Sequence, residues 1–520
     1  MGIAHGRCPA AQWTPLAGAG YNAGAMSPPL STSSSAGGAP PDEPPQGGSH
    51  AATRRRASRG SAPRAAEPSI LWQASLTVAN LPDIAPISTI RDSLYELIPL
   101  GELELALMST PAFVRLQGVK QLGFVYRVWP GATHTRFEHS LGVYYLALRA
   151  VRALLAHGGL EGVSEGDLRT VLAAALLHDI GHYPFSHAIE ELGHPIVPHE
   201  RVGRKIIEGT EVAEALARFG LTPQRVAGLV DPPRDQPLTG ADALLVRIIS
   251  GPLDVDKLDY LARDARACNV PYGGVDVSRL LGSLRVLRAL AGPRLGVSDK
   301  GISPLNSLLH ARQEMFDNVY WHHTNRAMMA MLLRAVQEAM EAGTLAPEQL
   351  RGHDDASLVA LLREPRMPLA ARALVDELRL RRPYKVLLEV SSRAGRLFSR
   401  MDALFWDQPK RRRVEIALAE AVGQTLGLPV APHDLLIDIP KPEKWEMDVL
   451  VGFAAPPVGM EPLMSWADAT GQRPSDLGVY EQHQRRIRIV GSESLRARLG
   501  ELGERRTEIL LRALDASAAL

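Results

Sequence analysis

From about residue 80 onward, apolar side chains recur at three- and four-residue intervals. Leu103, Leu105, Ala106 and Leu107, and then Phe113, Leu116, Val119 and Leu122, follow the 3.6-residue period that predicts helices with one buried face. The same period predicts helices over 141–155, 168–178, 202–207, 212–219 and 244–249. Gly and Pro punctuate them at Trp129-Pro130-Gly131, Gly193-His194-Pro195 and Asp231-Pro232-Pro233, which read as loops. A mainly α-helical domain over residues 80–335 is therefore expected. Beyond it, helical stretches near 328–342 and 412–425 alternate with β-like runs at 385–390, 435–439, 447–451 and 486–490. Residues 336–520 thus read as an α+β region. Residues 1–70 are dominated by Ala, Gly, Pro and Ser, a composition that buries too little apolar surface to offset chain ordering, and a disordered low-complexity tail is expected there.

At 520 residues, 45% hydrophobic and 22% charged, the chain is long enough for two or three globular units. The 58 Lys and Arg nearly balance the 57 Asp and Glu, so bulk attraction to nucleic acid or an anionic membrane surface is not expected. A partner has to be recognised at a site. The tail carries six Arg against Asp42, Glu43 and Glu67; a solvated tail is the favoured reading and a weak nucleic-acid contact the lesser alternative. With Cys8 and Cys268 the only cysteines, a disulfide framework is excluded and a reducing compartment is the simplest reading. No apolar run approaches the roughly 18 residues needed to cross a bilayer. The N-terminus lacks the compact apolar core of a signal peptide, so a soluble cytoplasmic protein with no membrane partner is expected.

The candidate chemistry lies in the histidines. His134, His139, His178, His182, His187, His194 and His199 fall within 66 positions, several beside carboxylates. A lone His-Asp pair carries almost no information, but its surroundings here do. Val171-Leu-Ala-Ala-Ala-Leu-Leu-His-Asp-Ile180 is an apolar helix that ends in two ligand-type side chains and is stopped by Gly181 and Pro184. Placing an imidazole and a carboxylate there is costly unless each finds a partner, and a divalent cation satisfies both. The same logic applies to Asp256 in Pro252-Leu-Asp-Val-Asp-Lys-Leu-Asp-Tyr260. The chain shows no internal repeat, P-loop or Gly-rich dinucleotide fingerprint.

Three ordered motifs, Arg136-Phe-Glu-His-Ser-Leu-Gly142, Leu177-His-Asp-Ile-Gly-His-Tyr-Pro-Phe-Ser-His187 and Asp254-Val-Asp-Lys-Leu-Asp-Tyr-Leu-Ala-Arg-Asp264, closely resemble those of the HD-domain deoxynucleoside triphosphate triphosphohydrolases. The likeness runs from about Ile90 to Met328. It implies an HD-domain helical core with His139, His178, Asp179 and Asp256 as ligands of a divalent metal, a mixed set that suits Mn, Fe, Mg, Zn or Ni without naming one. It further implies that Arg136, Lys257 and Arg312 neutralise a triphosphate, and that His182, His187 and His199 do acid-base and phosphate work. His187 is the expected proton donor to the leaving 5'-oxygen, with His199 oriented by Glu190, where vertebrate members have Asp. Gln121 and Leu122 are expected at the sugar, with Tyr260 and Tyr320 packed on the ribose and Asp264 contacting it. His134, His194 and His323 are read as structural.

The resemblance also shows departures. Vertebrate members hold an activating guanine nucleotide through Asp, Gln and Arg side chains whose positions are Ser109, Val114 and Gln117 here, so that activator site is expected to be absent or altered. A homotetramer is expected from bacterial members. The leading reading is hydrolysis of a dNTP, dGTP among them, to deoxynucleoside and inorganic triphosphate. The alternatives are an HD phosphohydrolase acting on another nucleotide, such as a 5'-nucleotidase or a guanosine tetraphosphate hydrolase, and a non-catalytic nucleic-acid-binding HD protein, against which the near-zero net charge argues.

Overall fold

The computed structural model describes residues 86–233, 238–289, 292–443 and 448–517, and the tail expected over 1–70 lies outside them. Its centre is the helix Arg136–Ala156. Glu138, three residues after Thr135, accepts the Thr135 backbone N–H at 2.7 Å, which fixes where this helix begins. Its apolar residues face the helices Glu165–Leu177 and Val255–Cys268. The Glu165 helix starts with a reciprocal cap between Ser164 and Asp167. Its Val171, Leu172, Leu176 and Leu177 are each at most 1% exposed, and burying each such side chain stabilises the fold by about 1.5–3 kcal/mol. This is why an imidazole and a carboxylate at its end are so firmly held.

The expected helices over 141–155, 168–178, 202–207, 212–219 and 244–249 form, as do all four expected strands in whole or part, and the fold is mainly α. Two hairpins were not read from the sequence. β1 (Ser88–Asp92) pairs antiparallel with β2 (Glu96–Leu100), and β3 (Leu284–Ala289) with β4 (Gly292–Ser298). Their strands are short. In β2 only Ile98 and Leu100 are buried, too few alternations to stand out against the surrounding helical period.

Beyond the central helices, His323–Glu341 runs straight through residue 335, and β7 (Leu450–Gly452) adds to β4 in parallel, with β8 (Leu463–Ser465) outside it. The elements on either side of that position therefore share one helix and one sheet. A second sheet orders β5 (Lys385–Ser391), β9 (Arg486–Gly491) and β6 (Leu435–Asp438), all antiparallel. Period-2 alternation sends Leu436 and Val490 to a core around the His323 helix, and Leu435, Ile437 and Ile489 to a core against the helix Gln408–Leu426. Arg326 ties this layer to the His-rich segment: buried, it reaches Glu191 Oε1 at 2.8 Å and Asp438 Oδ1 at 2.7 Å. Among the described residues, no helix is long and apolar enough to cross a membrane.

Candidate active site

His139 projects from the first turn of the Arg136 helix, His178 and Asp179 follow the end of the Glu165 helix, and Asp256 stands in the first turn of the Val255 helix. Their reactive atoms converge. His139 Nε2 lies 3.3 Å from His178 Nε2 and 3.0 Å from Asp256 Oδ1, while Asp179 Oδ1 is 3.3 Å from His178 Nε2 and its Oδ2 3.5 Å from His139 Nε2. The other nitrogen of each ring is engaged: His139 Nδ1 donates to Asp259 Oδ2 at 2.8 Å and His178 Nδ1 to the Ala175 carbonyl at 2.9 Å. That leaves the two Nε2 atoms facing each other, and with Asp256 they form a group whose ligand atoms lie close enough together to hold a divalent cation, while Asp179 stands beside them with its oxygens on the two rings. Burial alone would lower the His139 pKa, but hydrogen bonds to Asp256 and Asp259 push it up to about 10: the negative charge around Nε2 attracts a positive partner there, and a proton and a metal cation compete for that nitrogen.

A layer missed by the sequence reading holds His139 in place. Asp259, fully buried, accepts from Arg263 Nε at 2.8 Å and Nη2 at 3.0 Å, and Arg263 Nη1 reaches Asp92 on β1 at 2.9 Å. Its signal was present in the sequence as Asp259 and Arg263 at i and i+4, next to Asp256. Gly142 is required beside this clamp: a Cβ there would stand 1.9 Å from Asp259 Oδ1 and 2.5 Å from Arg263 Nη2. Gly181 is equally confined, its Cβ position 2.1 Å from the His199 carbonyl oxygen.

Next to the metal-type cluster lies a second group, His182, His187, Glu190 and His199. His182 stacks on His199 with ring centroids 3.8 Å apart, and its Nε2 is 3.1 Å from Asp179 Oδ1, off the line of a hydrogen bond; both ring nitrogens are buried without a hydrogen-bond partner. Burial and the Arg136 cation hold its pKa well below the ordinary histidine value, so it is neutral. His199 behaves oppositely. Burial would lower its pKa, but Glu190, whose Oε1 is 2.7 Å from Nδ1, pushes it up to about 9. The Glu190 carboxyl is in turn held well below its usual range against its own burial, chiefly by His199. His187 is exposed at the mouth of the group, its Nδ1 3.6 Å from Glu190 Oε2.

The cations expected to meet phosphate each have protein partners. Arg136, 4% exposed, donates to Asp179 Oδ2 at 2.6 Å and Ser186 Oγ at 2.9 Å. It therefore sits behind the metal-type cluster and keeps Asp179 ionised against the cost of burial. Lys257 bonds Asp254 Oδ2 at 2.5 Å and the Gly251 carbonyl at 2.9 Å, and Arg312 bonds Glu443 at 3.1 Å. Tyr260 and Tyr320 meet edge to face at 6.5 Å. The Tyr320 hydroxyl donates to Asp264 Oδ2 at 2.7 Å, and Asp264 Oδ1 meets His134 Nε2 at 2.7 Å, so His134, read from the sequence as structural, belongs to this chain of contacts. Gln121, beside the half-buried Leu122, is buried with its Oε1 unpartnered. Ser109, Val114 and Gln117 are exposed.

Comparison with known proteins agrees with the motifs. The family model described as HD domain matches residues 136–263, and the one described as HD associated region matches 275–499. The chain is 34% identical over 305 residues to an uncharacterized protein of Methanocaldococcus jannaschii, covering 59% of this chain and 60% of that relative. It is 32% identical over 280 residues to the deoxynucleoside triphosphate triphosphohydrolase SAMHD1 of Homo sapiens, covering 49% and 45% of the two chains. The matched stretch spans about half to three fifths of these curated relatives. A crystal structure of a hypothetical protein from Aquifex aeolicus matches with a TM-score of 0.60 at 26% identity, covering 79% of this chain and 99% of that one.

Proposed function

The chain is an HD-domain protein, and we propose that it is a divalent-metal-dependent phosphohydrolase that cleaves deoxynucleoside triphosphates, dGTP among them, into deoxynucleoside and inorganic triphosphate. The observation that carries this reading is the pair of facing Nε2 atoms between Asp179 and Asp256, flanked by a charged His199–Glu190 pair and a neutral His182. His139, His178, Asp179 and Asp256 would hold the metal, which when bound supplies an acidified water and polarises a phosphate oxygen. Its identity among Mn, Fe, Mg, Zn and Ni is open to any ion that accepts two nitrogens and two carboxylates.

In the proposed reaction a water that has released one proton to solvent bonds through its oxygen to the α-phosphorus, the bond from phosphorus to O5' breaks, and O5' leaves with a proton. His187, exposed at the mouth, is the proposed donor of that proton, and His199, oriented by Glu190, steadies the water and the phosphate. Lys257 and Arg312 can turn from Asp254 and Glu443 toward phosphate oxygens, supplying the charge stabilisation on which phosphoryl transfer rests. Arg136 acts one layer back, through Asp179. The edge-to-face Tyr260 and Tyr320, with Asp264, Gln121 and Leu122, are the proposed sugar contacts. A homotetramer in the cytoplasm, in which the guanine activator site of vertebrate members is absent or altered at Ser109, Val114 and Gln117, completes the proposal.

The test is product analysis of the purified chain with Mn or Mg and each dNTP, singly and mixed, with Asp256→Ala as control. Triphosphate and deoxynucleoside that vanish in the variant support the reading. Pyrophosphate or phosphate as the inorganic product would move it to another HD phosphohydrolase, and no turnover in any mixture would favour a binding role.

A further inference from the structure

The HD associated region reaches the backbone of the catalytic segment through the start of the helix Asp355–Leu361. Asp355 is 6% exposed and uses both carboxylate oxygens: Oδ1 accepts the Phe185 N–H at 2.7 Å and Oδ2 the Lys120 N–H at 3.1 Å. Both donors lie more than 160 residues earlier in the chain, and each is within two positions of a candidate catalytic or substrate residue. Phe185 opens the turn that carries Ser186 and His187, and Lys120 precedes Gln121.

That turn needs an external hold. Phe185 and Ser186 are consecutive non-glycine residues at φ of 58° and 59°, a sparsely populated conformation that persists only when the surroundings over-determine it. Ser186 Oγ donates to the Lys120 carbonyl at 2.8 Å and accepts from Arg136 Nε at 2.9 Å, and Arg136 holds Asp179. Position in this network passes from Asp355 through the two backbone amides to Ser186, Arg136 and Asp179. The flanking contacts reinforce the docking. Arg115 Nη1 donates to the His353 carbonyl at 3.0 Å, while its Nη2 donates to the carbonyls of Ile180 and His182 at 3.0 and 2.8 Å. Gly118 is pressed so closely on Asp354 that a Cβ would stand 2.4 Å from its Oδ2.

We propose that Asp355 is a positioning residue of the active site, contributed by the associated region, which fixes the His182–His187 turn and the Gln121 backbone in one register while touching neither metal nor substrate. The role rests on the phosphohydrolase reading for its catalytic consequence, not for its structural one. A carboxylate suits it because both amides need an acceptor. Asn supplies one carbonyl oxygen and turns an N–H group against the second donor. Burial, outweighing the two N–H donors, pushes the Asp355 carboxyl up to about 6, so it is ionised at neutral pH.

The test compares the full-length wild type with Asp355→Asn by metal analysis, hydrogen exchange of peptides over 179–190, and steady-state turnover of dGTP. The expected result is unchanged metal content, exchange at least tenfold faster over 179–190 with the Val255–Cys268 helix unaffected, and kcat lower by on the order of 10- to 100-fold with KM within about twofold. Wild-type exchange over 179–190, faster exchange spread evenly over the helical core, or an unchanged kcat in an active enzyme would each overturn it. If Asp355→Asn does not fold, Arg115→Lys, which loosens the same docking, must show the same local exchange pattern or the proposal fails. A wild type that turns over no dNTP would refute the proposed reaction, while the exchange comparison would still decide the positioning role.

Discussion

The clamp behind His139 gives the most demanding prediction. Asp259→Ala removes the acceptor for His139 Nδ1 and for two nitrogens of Arg263, leaving a guanidinium that is 2% exposed with Asp92 as its remaining carboxylate. Breaking a buried pair from one side costs about 3–5 kcal/mol, because the surviving charge stays desolvated. Losing the group that orients a metal-ligating imidazole costs about 10–100-fold in metal affinity. Asp259→Ala should therefore lower the urea-unfolding free energy by about 3–5 kcal/mol and raise the Mn dissociation constant 10–100-fold, read by equilibrium denaturation and by calorimetric titration. Removing Arg263 as well should cost less than the sum of the two single changes, since the orphaned charge goes with it. Gly142→Ala should reproduce the metal defect from the opposite side, because its Cβ would occupy the place of Asp259 Oδ1. Wild-type metal affinity in both Asp259→Ala and Gly142→Ala would refute the assignment of this layer as the support of the site.

Further outcomes follow from other contacts. In Glu190→Gln, His199 loses the charge that raises its pKa to about 9; since protonated His199 persists in the wild type below that pH, the alkaline limb of the pH–rate profile should move toward 6.5. The stability that this pair contributes through His199 is fully present below pH 6.5 and lost as pH rises through about 9, so the deficit of the variant should be largest just below pH 6.5 and fade above about 9, measured as melting midpoint against pH. Arg326→Ala takes the shared guanidinium from Glu191 and Asp438, leaving Asp438 with Arg488 at 4.0 Å, and should cost about 3–5 kcal/mol in urea unfolding, without changing metal affinity. His134→Ala frees one side of Asp264 and should raise KM for dNTP by about 3–10-fold, the worth of one hydrogen bond, with kcat little changed; a selective fall in kcat would contradict that role.

The helices around the site were legible because burial on a helix face writes a 3.6-residue period into the sequence, as in 141–155 and 168–178. The meeting of His139, His178, Asp179 and Asp256 was foreshadowed by the likeness of three ordered motifs, and for His178, Asp179 and Asp256 also by the cost of leaving a polar group unpartnered in apolar surroundings. The hairpins β1–β2 and β3–β4 escaped, since five to seven residues of partial alternation carry too little period to outweigh their neighbours. Other features depend on which distant segments meet. That Arg136 faces Asp179 instead of lying open to phosphate, that Asp259 is shared between His139 and Arg263, and that His134 belongs with Asp264 are all consequences of the path by which three helices cross. The hold of Asp355 on Phe185 and Lys120 is the extreme case. Local sequence determines what a residue can donate, accept or bury, but a backbone amide carries no side-chain signature, so the partner 170 positions away that satisfies it is decided only when the chain has packed.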